Sequence, residues 1–229
     1  MPVCVRHVKV QADMPLHDWS CSGIYRIQKF ELGGRSMVRL KCYHGTTREN
    51  AHSILKDGRF LPSETRDSLR LGKGAYFYCK TGMSDYAKTC AYETAKYHHE
   101  KSETGSYGIV SCTIECEDTQ FFDMCRPDFA EQFHKARHAL YQKMTKEGHV
   151  YSHCGELDTQ TMDMIRSIRD IAIIRSPEFF GFMSFENQIK FKKRPKPLTY
   201  VPNVIIVCAD TDKAKISDIK IEEEGEFDV

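Results

Sequence analysis

Runs of alternating apolar and polar residues, each closed by a turn signal, organise the first third of the chain. Residues 3–10 and 24–32 alternate on either side of Pro15 and a polar turn, which predicts strands or extended arms ahead of the main domain. Residues 37–43 alternate again and predict a strand ending at His44. The spacing then becomes helical. Ala51, Ile54 and Leu55 form an apolar stripe, Thr46 and Glu49 have the spacing of a capping box, and Gly58 stands where a helix stops. A polar, charged loop follows over 63–70, then a short strand over 75–78. Ser84 is placed to cap a second helix with Ala87, Cys90, Ala91 and Ala95 on one face.

The second half is richer in strands. Residues 107–116 predict a strand. Residues 128–144 predict a helix, capped by Asp128 with Glu131 and striped by Phe129, Phe133, Ala136, Leu140 and Met144. A short helix over 161–168 leads into strands at 171–174, 186–191, 204–208 and 216–221. The acidic residues 222–228 predict a frayed, solvated end. Many short strands with a few helices between them predict an α+β domain, not a repeat of βαβ units. The resulting division is an N-terminal strand-bearing extension over 1–38, a main domain over 39–221 and an acidic tail over 222–229.

Composition mostly excludes. A chain of 229 residues with 41% hydrophobic content, 13 Phe and 11 Tyr is long enough for one large domain with a substantial core. A formal net charge of +1 does not fit a wholly basic nucleic-acid coat. No apolar run approaches the ~18–20 residues that cross a bilayer, so no membrane association is expected. The first residues lack the basic-then-apolar pattern of a secretory signal. The ten cysteines include no CxxC pair and read as reduced core residues. A cytoplasmic or nuclear protein is expected, with no obligatory partner.

Two segments carry candidate chemistry: Tyr43-His44-Gly45-Thr46 and Gly72-Lys73-Gly74-Ala75-Tyr76-Phe77. Each puts glycine beside a polar or aromatic residue at the margin of an apolar run, which suits close approach of backbone to a flat ligand. Singly, the first also reads as a strand-to-helix junction whose threonine caps the helix, and the second as a turn feeding a core strand. In this order and at this spacing they resemble the nicotinamide clamp of the ADP-ribosyltransferase superfamily, in its diphtheria-toxin and poly(ADP-ribose)-polymerase branch. The resemblance covers residues 39–95, with a second segment over 170–192.

That resemblance implies an ADP-ribosyltransferase-like α+β fold of two packed, twisted sheets with flanking helices and an NAD cleft, and NAD as co-substrate. It assigns the backbone N–H and C=O of Gly45 to the nicotinamide carboxamide, a hydroxyl contact to Thr46 and a ribose hydrogen bond to His44. Tyr76 matches the tyrosine that stacks on the nicotinamide ring, and Tyr86 lies near the position of a second stacking tyrosine. Active members carry a glutamate on a late strand. Here that strand reads Ser184-Phe185-Glu186-Asn187-Gln188-Ile189-Lys190-Phe191 and places Gln188 at the glutamate's position. Gln188 can bond a ribose hydroxyl but supplies no negative charge, and losing such a contact typically costs on the order of a hundredfold in rate. Glu186, two residues earlier, shares its strand face.

The activity implied is mono-ADP-ribosyl transfer from NAD to a protein or nucleic-acid acceptor, because relatives lacking the glutamate are limited to single transfers or are inert. This chemistry needs no metal. A catalytically silent NAD- or ADP-ribose-binding module and an NAD glycohydrolase remain as alternatives. An RNA 2′-phosphotransferase comes last, since its set of arginines and histidines is not found. Two further features stand apart from the clamp. His134 and His138, four apart on a helix with His149, His153 and Cys154 following, have a spacing that zinc uses, though a packed or solvated pair is commoner. Lys190, Lys192, Lys193, Arg194 and Lys196 form a basic run that could steer an anion, serve as a nuclear-import signal, or simply protect an edge strand.

Overall fold

The computed structural model describes residues 27–63, 70–80, 86–102, 105–149, 151, 154–179 and 203–227. In chain order the elements are β1 (Gln28–Leu32), β2 (Arg35–Thr46), α1 (Arg48–Asp57), β3 (Ala75–Cys79), α2 (Tyr86–Ser102), β4 (Ser106–Glu117), a short 3-10 turn (Asp118–Gln120), β5 (Phe121–Asp123), α3 (Pro127–Lys146), α4 (Cys154–Ile168), β6 (Ile173–Phe179), β7 (Asn203–Ala209) and β8 (Lys215–Glu226). The α+β class stands. The described strands, however, hydrogen-bond into one eight-stranded sheet of order β5-β6-β7-β3-β2-β4-β8, with β1 added to the start of β2, in place of the two packed sheets expected. Among the described residues only β5 and β6 pair in parallel.

β2 explains why the expected boundary at residue 38 does not hold. Its first half pairs with β1 from Gln28↔Arg39 to Leu32↔Arg35, across a two-residue turn in which Gly33 and Gly34 have φ of 58° and 78°. Such turns need left-handed backbone at both positions, which glycine adopts without penalty. Its second half pairs with β3, and β4 runs along its other side from Met37↔Glu117 to Thr46↔Gly108. One strand thus crosses the boundary and makes residues 27–38 integral to the sheet.

The acidic end is also structural. Glu222–Glu226 belong to β8, paired with β4 as far as Ser106↔Glu226, and Phe227 is buried beside Tyr92 and Tyr107. Each carboxylate has a partner: Ser111 and Lys220 for Glu222, Lys88 and Tyr107 for Glu223, His52 for Glu224 and Arg48 for Glu226. The helix read over 161–168 begins earlier, at Cys154. α1 is capped by Thr47, whose side chain accepts from the Asn50 N–H, one residue later than the predicted box.

Helices cover both faces. Residues two apart on a strand and register partners on its neighbours share a face. On one face Val38, Leu40, Cys42, Phe77, Val110, Cys112 and Val207 pack with Ala51 of α1. On the other, Tyr43 and Ile109 meet Ala87, Ala91 and Ala95 of α2, while Phe122, Ile174 and Cys208 meet Phe133 of α3 and Met162 and Ile165 of α4. Among the described residues no helix is long and apolar enough to cross a membrane.

Candidate functional site at a fork between two central strands

Hydrogen-bond phase along β2 defines the site. Lys80 N–H donates to the Lys41 carbonyl at 2.8 Å, so the peptide groups of Lys41 face β3. Peptide groups alternate sides along a strand, and those of Tyr43 and Gly45 therefore face β3 as well. The ladder between the two strands is recorded at Cys42↔Cys79 and Tyr43↔Tyr78 and ends there, whereas β2 stays paired with β4 through Thr46. Gly45 lies past the last rung with its N–H and C=O directed into the fork.

His44 sets the other wall. Its Nδ1 is 2.8 Å from the Tyr76 carbonyl, the group that a continued ladder would offer to the Gly45 N–H. A carbonyl only accepts, so Nδ1 carries the proton, and in the neutral ring Nε2 is the lone-pair nitrogen. The imidazole packs edge-on against Phe60 and tilted on Phe77, with centroids 5.5 and 5.8 Å apart. These contacts hold the ring beneath the sheet.

Gly45 is glycine for a reason the motif did not reveal. A Cβ there would lie 1.7 Å from the Ala91 carbonyl oxygen, because α2 runs directly across the strand. The space that glycine frees on that face belongs to a helix. What the site can offer a ligand is the peptide group in the plane of the sheet. Gly74 is filled in the same way, by the Ala209 carbonyl oxygen and Cys208 Sγ at 2.7 Å each.

Tyr76 stands across the fork, half-buried against the cluster of Leu71, Met162 and Cys208. Its hydroxyl donates to the Gly72 carbonyl at 2.8 Å and accepts from the Leu71 N–H at 3.1 Å. Burial pushes the phenol well above its usual range, so it stays protonated. The turn it grips is held from α4 as well: Arg166 donates to the Lys73 carbonyl and, at 3.3 Å, to Cys208 Sγ. Thr46 Oγ1 accepts from the Asn50 amide at 3.3 Å. Tyr86 opens α2 and is 43% exposed.

The fold therefore gathers His44, Gly45, Thr46 and Tyr76 at one fork, and Tyr86 begins the helix that packs on Gly45. Glu186 and Gln188 lie outside the described residues, as do His153 and the basic run from Lys190 to Lys196. His134 and His138 are exposed on α3, with His138 Nε2 2.9 Å from Gln142. His149 lies 3.6 Å from Glu156. Among the described residues no three His, Cys, Asp or Glu side chains converge as a metal would need.

Two arginines with structural contacts carry no mark in the sequence. Arg166 looks like any polar position on an amphipathic helix. Arg175 continues the apolar run 171–174, yet its side chain is only 2% exposed, with Nε 3.5 Å from Asp123 Oδ1 on the neighbouring strand. No local pattern marks either residue, because each finds its partner through the topology.

Comparison with known proteins adds one distant likeness. The chain is 24% identical over 183 residues to an uncharacterized protein of Methanocaldococcus jannaschii, a match covering 74% of this chain and 81% of the relative. No family model matches the chain, and no solved structure matches it.

Proposed function

We propose that the chain binds NAD with the nicotinamide seated in the fork between β2 and β3, and that it acts as a mono-ADP-ribosyltransferase. The observation that carries this reading is the Gly45 peptide group, directed past the last rung of the ladder while His44 occupies the Tyr76 carbonyl. A primary carboxamide has one acceptor and two donors. It pairs with the N–H and C=O of a single residue facing such a gap. Tyr76, tied at its hydroxyl, is a rigid aromatic flank for a flat, electron-poor ring. The His44 Nε2 lone pair suits a ribose hydroxyl as donor.

In the reaction the bond between nicotinamide and ribose C1′ breaks, and its electron pair leaves with the nicotinamide and neutralises the ring. An acceptor nucleophile, on a protein or a nucleic acid, then bonds to C1′ and gives up its proton. Gln188 and Glu186 are the residues proposed to attend the ribose. β6 and β7 meet at Phe179↔Asn203, five rungs from the Ile174↔Cys208 rung beside Tyr76, about 17 Å along the strands. The 23 residues of 180–202 can span that distance several times over.

The test is nicotinamide release from NAD by the purified chain, beside Tyr76→Ala, Glu186→Gln and Gln188→Glu. Release that is lost in Tyr76→Ala and Glu186→Gln, with label passing to an acceptor, is the expected result. Release without a labelled acceptor would make the protein a glycohydrolase. Binding without release, with activity gained in Gln188→Glu, would make it a silent binding module. Absence of both binding and release would sink the reading.

A further inference from the structure

Cys42 sits at the centre of the sheet with a cysteine beside it on each neighbouring strand. Its register partner on β3 is Cys79 and on β4 is Cys112, and all three thiols are buried in one cluster. The two rungs are not equivalent. Since the peptide groups of Lys41 face β3, those of Cys42 face β4, which makes Cys42–Cys79 a non-hydrogen-bonded rung and Cys42–Cys112 a hydrogen-bonded one. Cα atoms approach to about 4.5 Å in the first kind and about 5.5 Å in the second, with side chains closer in the first. Both spacings fall within the range a disulfide spans. The Cys79 Sγ donates to the Lys80 carbonyl at 3.7 Å, and all three cysteines are free thiols.

The surroundings separate the two partners further. The adjacent Cys42 thiol lowers the Cys79 thiol, helped by the charge of Arg175 and opposed by burial and by Asp123. Burial raises the Cys42 thiol and pushes Cys112 up to about 12. Cys79 is also the last residue of its strand and 7% exposed, while Cys42 and Cys112 are fully buried. The strand-end position and greater exposure of Cys79 make it the thiol a peroxide reaches first, with Cys42 placed as the resolving thiol.

We propose that Cys42 and Cys79 are an oxidative modification site, at which hydrogen peroxide converts two thiols into a disulfide across β2 and β3. The Cys79 sulfur attacks one peroxide oxygen, the O–O bond breaks, and Cys79 becomes a sulfenic acid while the other oxygen leaves as water. The Cys42 sulfur then attacks the Cys79 sulfur. The S–O bond breaks, and the leaving hydroxide takes up the Cys42 proton as a second water. Two thiols lose two electrons and two protons, and one peroxide is reduced to two waters. The bond forms one residue before the last rung of the ladder, two residues from His44 and three from Tyr76, and so pins the closed end of the fork.

Tryptic cleavage places each thiol alone in a short peptide, residues 42–48 and residues 74–80. The experiment treats the reduced full-length chain with hydrogen peroxide, alkylates the remaining thiols under denaturing conditions, and maps peptides without reduction. The expected result is a loss of about 2 Da in the intact chain, for two hydrogens removed, and a linked 42–48/74–80 pair that dithiothreitol separates. In Cys42→Ser, dimedone should trap a sulfenic acid on Cys79; in Cys79→Ser, Cys42 should stay alkylatable. A link from Cys42 to Cys112 would overturn the proposal. So would full alkylation of both Cys42 and Cys79 after the peroxide has been consumed. The wild-type map decides even where a serine variant does not fold, and the readout does not depend on NAD.

Discussion

The imidazole Nδ1 of His44 lies 2.8 Å from the main-chain carbonyl of Tyr76, where regular pairing would have placed the amide of Gly45. One side chain has substituted for one rung of a ladder. The sheet stays closed at Tyr43–Tyr78 and opens a residue later. Phe60 and Phe77 hold the ring in that place, so the fork belongs to the folded core. His44→Phe keeps the packing and removes the bond. It should cost about 1 kcal/mol in stability by urea titration and weaken NAD binding by about tenfold or more in calorimetry. Unchanged affinity would detach His44 from the proposed site.

Gly45→Ala tests the helix contact. The new methyl would meet the Ala91 carbonyl, a backbone atom that cannot swing aside. Overpacking of this kind costs about 2–3 kcal/mol, or roughly 4–12 °C in a chain of this size. Gly105→Ala, with nothing within 4 Å and no left-handed φ, is the control and should melt close to wild type.

Tyr76→Phe keeps the aromatic ring and deletes both hydroxyl bonds, to Gly72 and from Leu71. Stability should fall by about 1–2 kcal/mol. Amide exchange at Leu71 should speed up more than exchange in β4, since the loss is confined to the turn. A uniform rise across the sheet would contradict that placement.

Asp123 and Arg175 form a buried pair on adjacent parallel strands. Asp123→Asn removes the charge that faces a nearly inaccessible guanidinium and should cost about 3–5 kcal/mol. The double change Asp123→Asn with Arg175→Met removes both charges and should recover much of that loss. An additive double variant would show that the two residues do not act as a pair.

Glu115 should contribute to acid sensitivity. Its carboxylate is nearly inaccessible and accepts from Arg39 at 2.5 Å and Lys215 at 3.0 Å. Burial alone would raise its pKa, but the hydrogen bonds from Lys215 and Arg39 and their charges outweigh burial and hold it below the usual value. A carboxylate with a depressed folded pKa contributes stability that is fully present above the unfolded value of about 4.3 and is lost as pH falls below it through the folded value. Glu115→Gln should therefore be less stable than wild type at neutral pH, and the gap should narrow below about pH 4. A gap that stays constant with pH would rule out this linkage.

Much of the local structure was legible in the chain. The 37–43 and 107–116 alternations lie within β2 and β4, the 128–144 stripe within α3, and Gly58 ends α1. Periodicity is a local property that follows from which face a residue presents. The two motifs were legible for the same reason, since strand end, glycine and aromatic are neighbours in sequence.

The remainder depended on contacts between distant segments. Residues 222–226 read as a tail because their charge is local, while the Lys88, His52, Arg48 and Ser111 that receive it come from α2, α1 and β4. Whether strands form one sheet or two is decided by pairing, on which alternation is silent. A glycine in a motif shows that something comes close, and only the packed molecule shows that at Gly45 it is α2. Arg175 and Cys42 are ordinary strand residues until β5, β3 and β4 set a carboxylate and two thiols beside them. Amino-acid order alone determined most of the elements and set His44, Gly45 and Tyr76 at the margins of their strands. The tertiary structure decided the fork, the buried ion pair and the thiol line, because each needs groups that only topology makes neighbours.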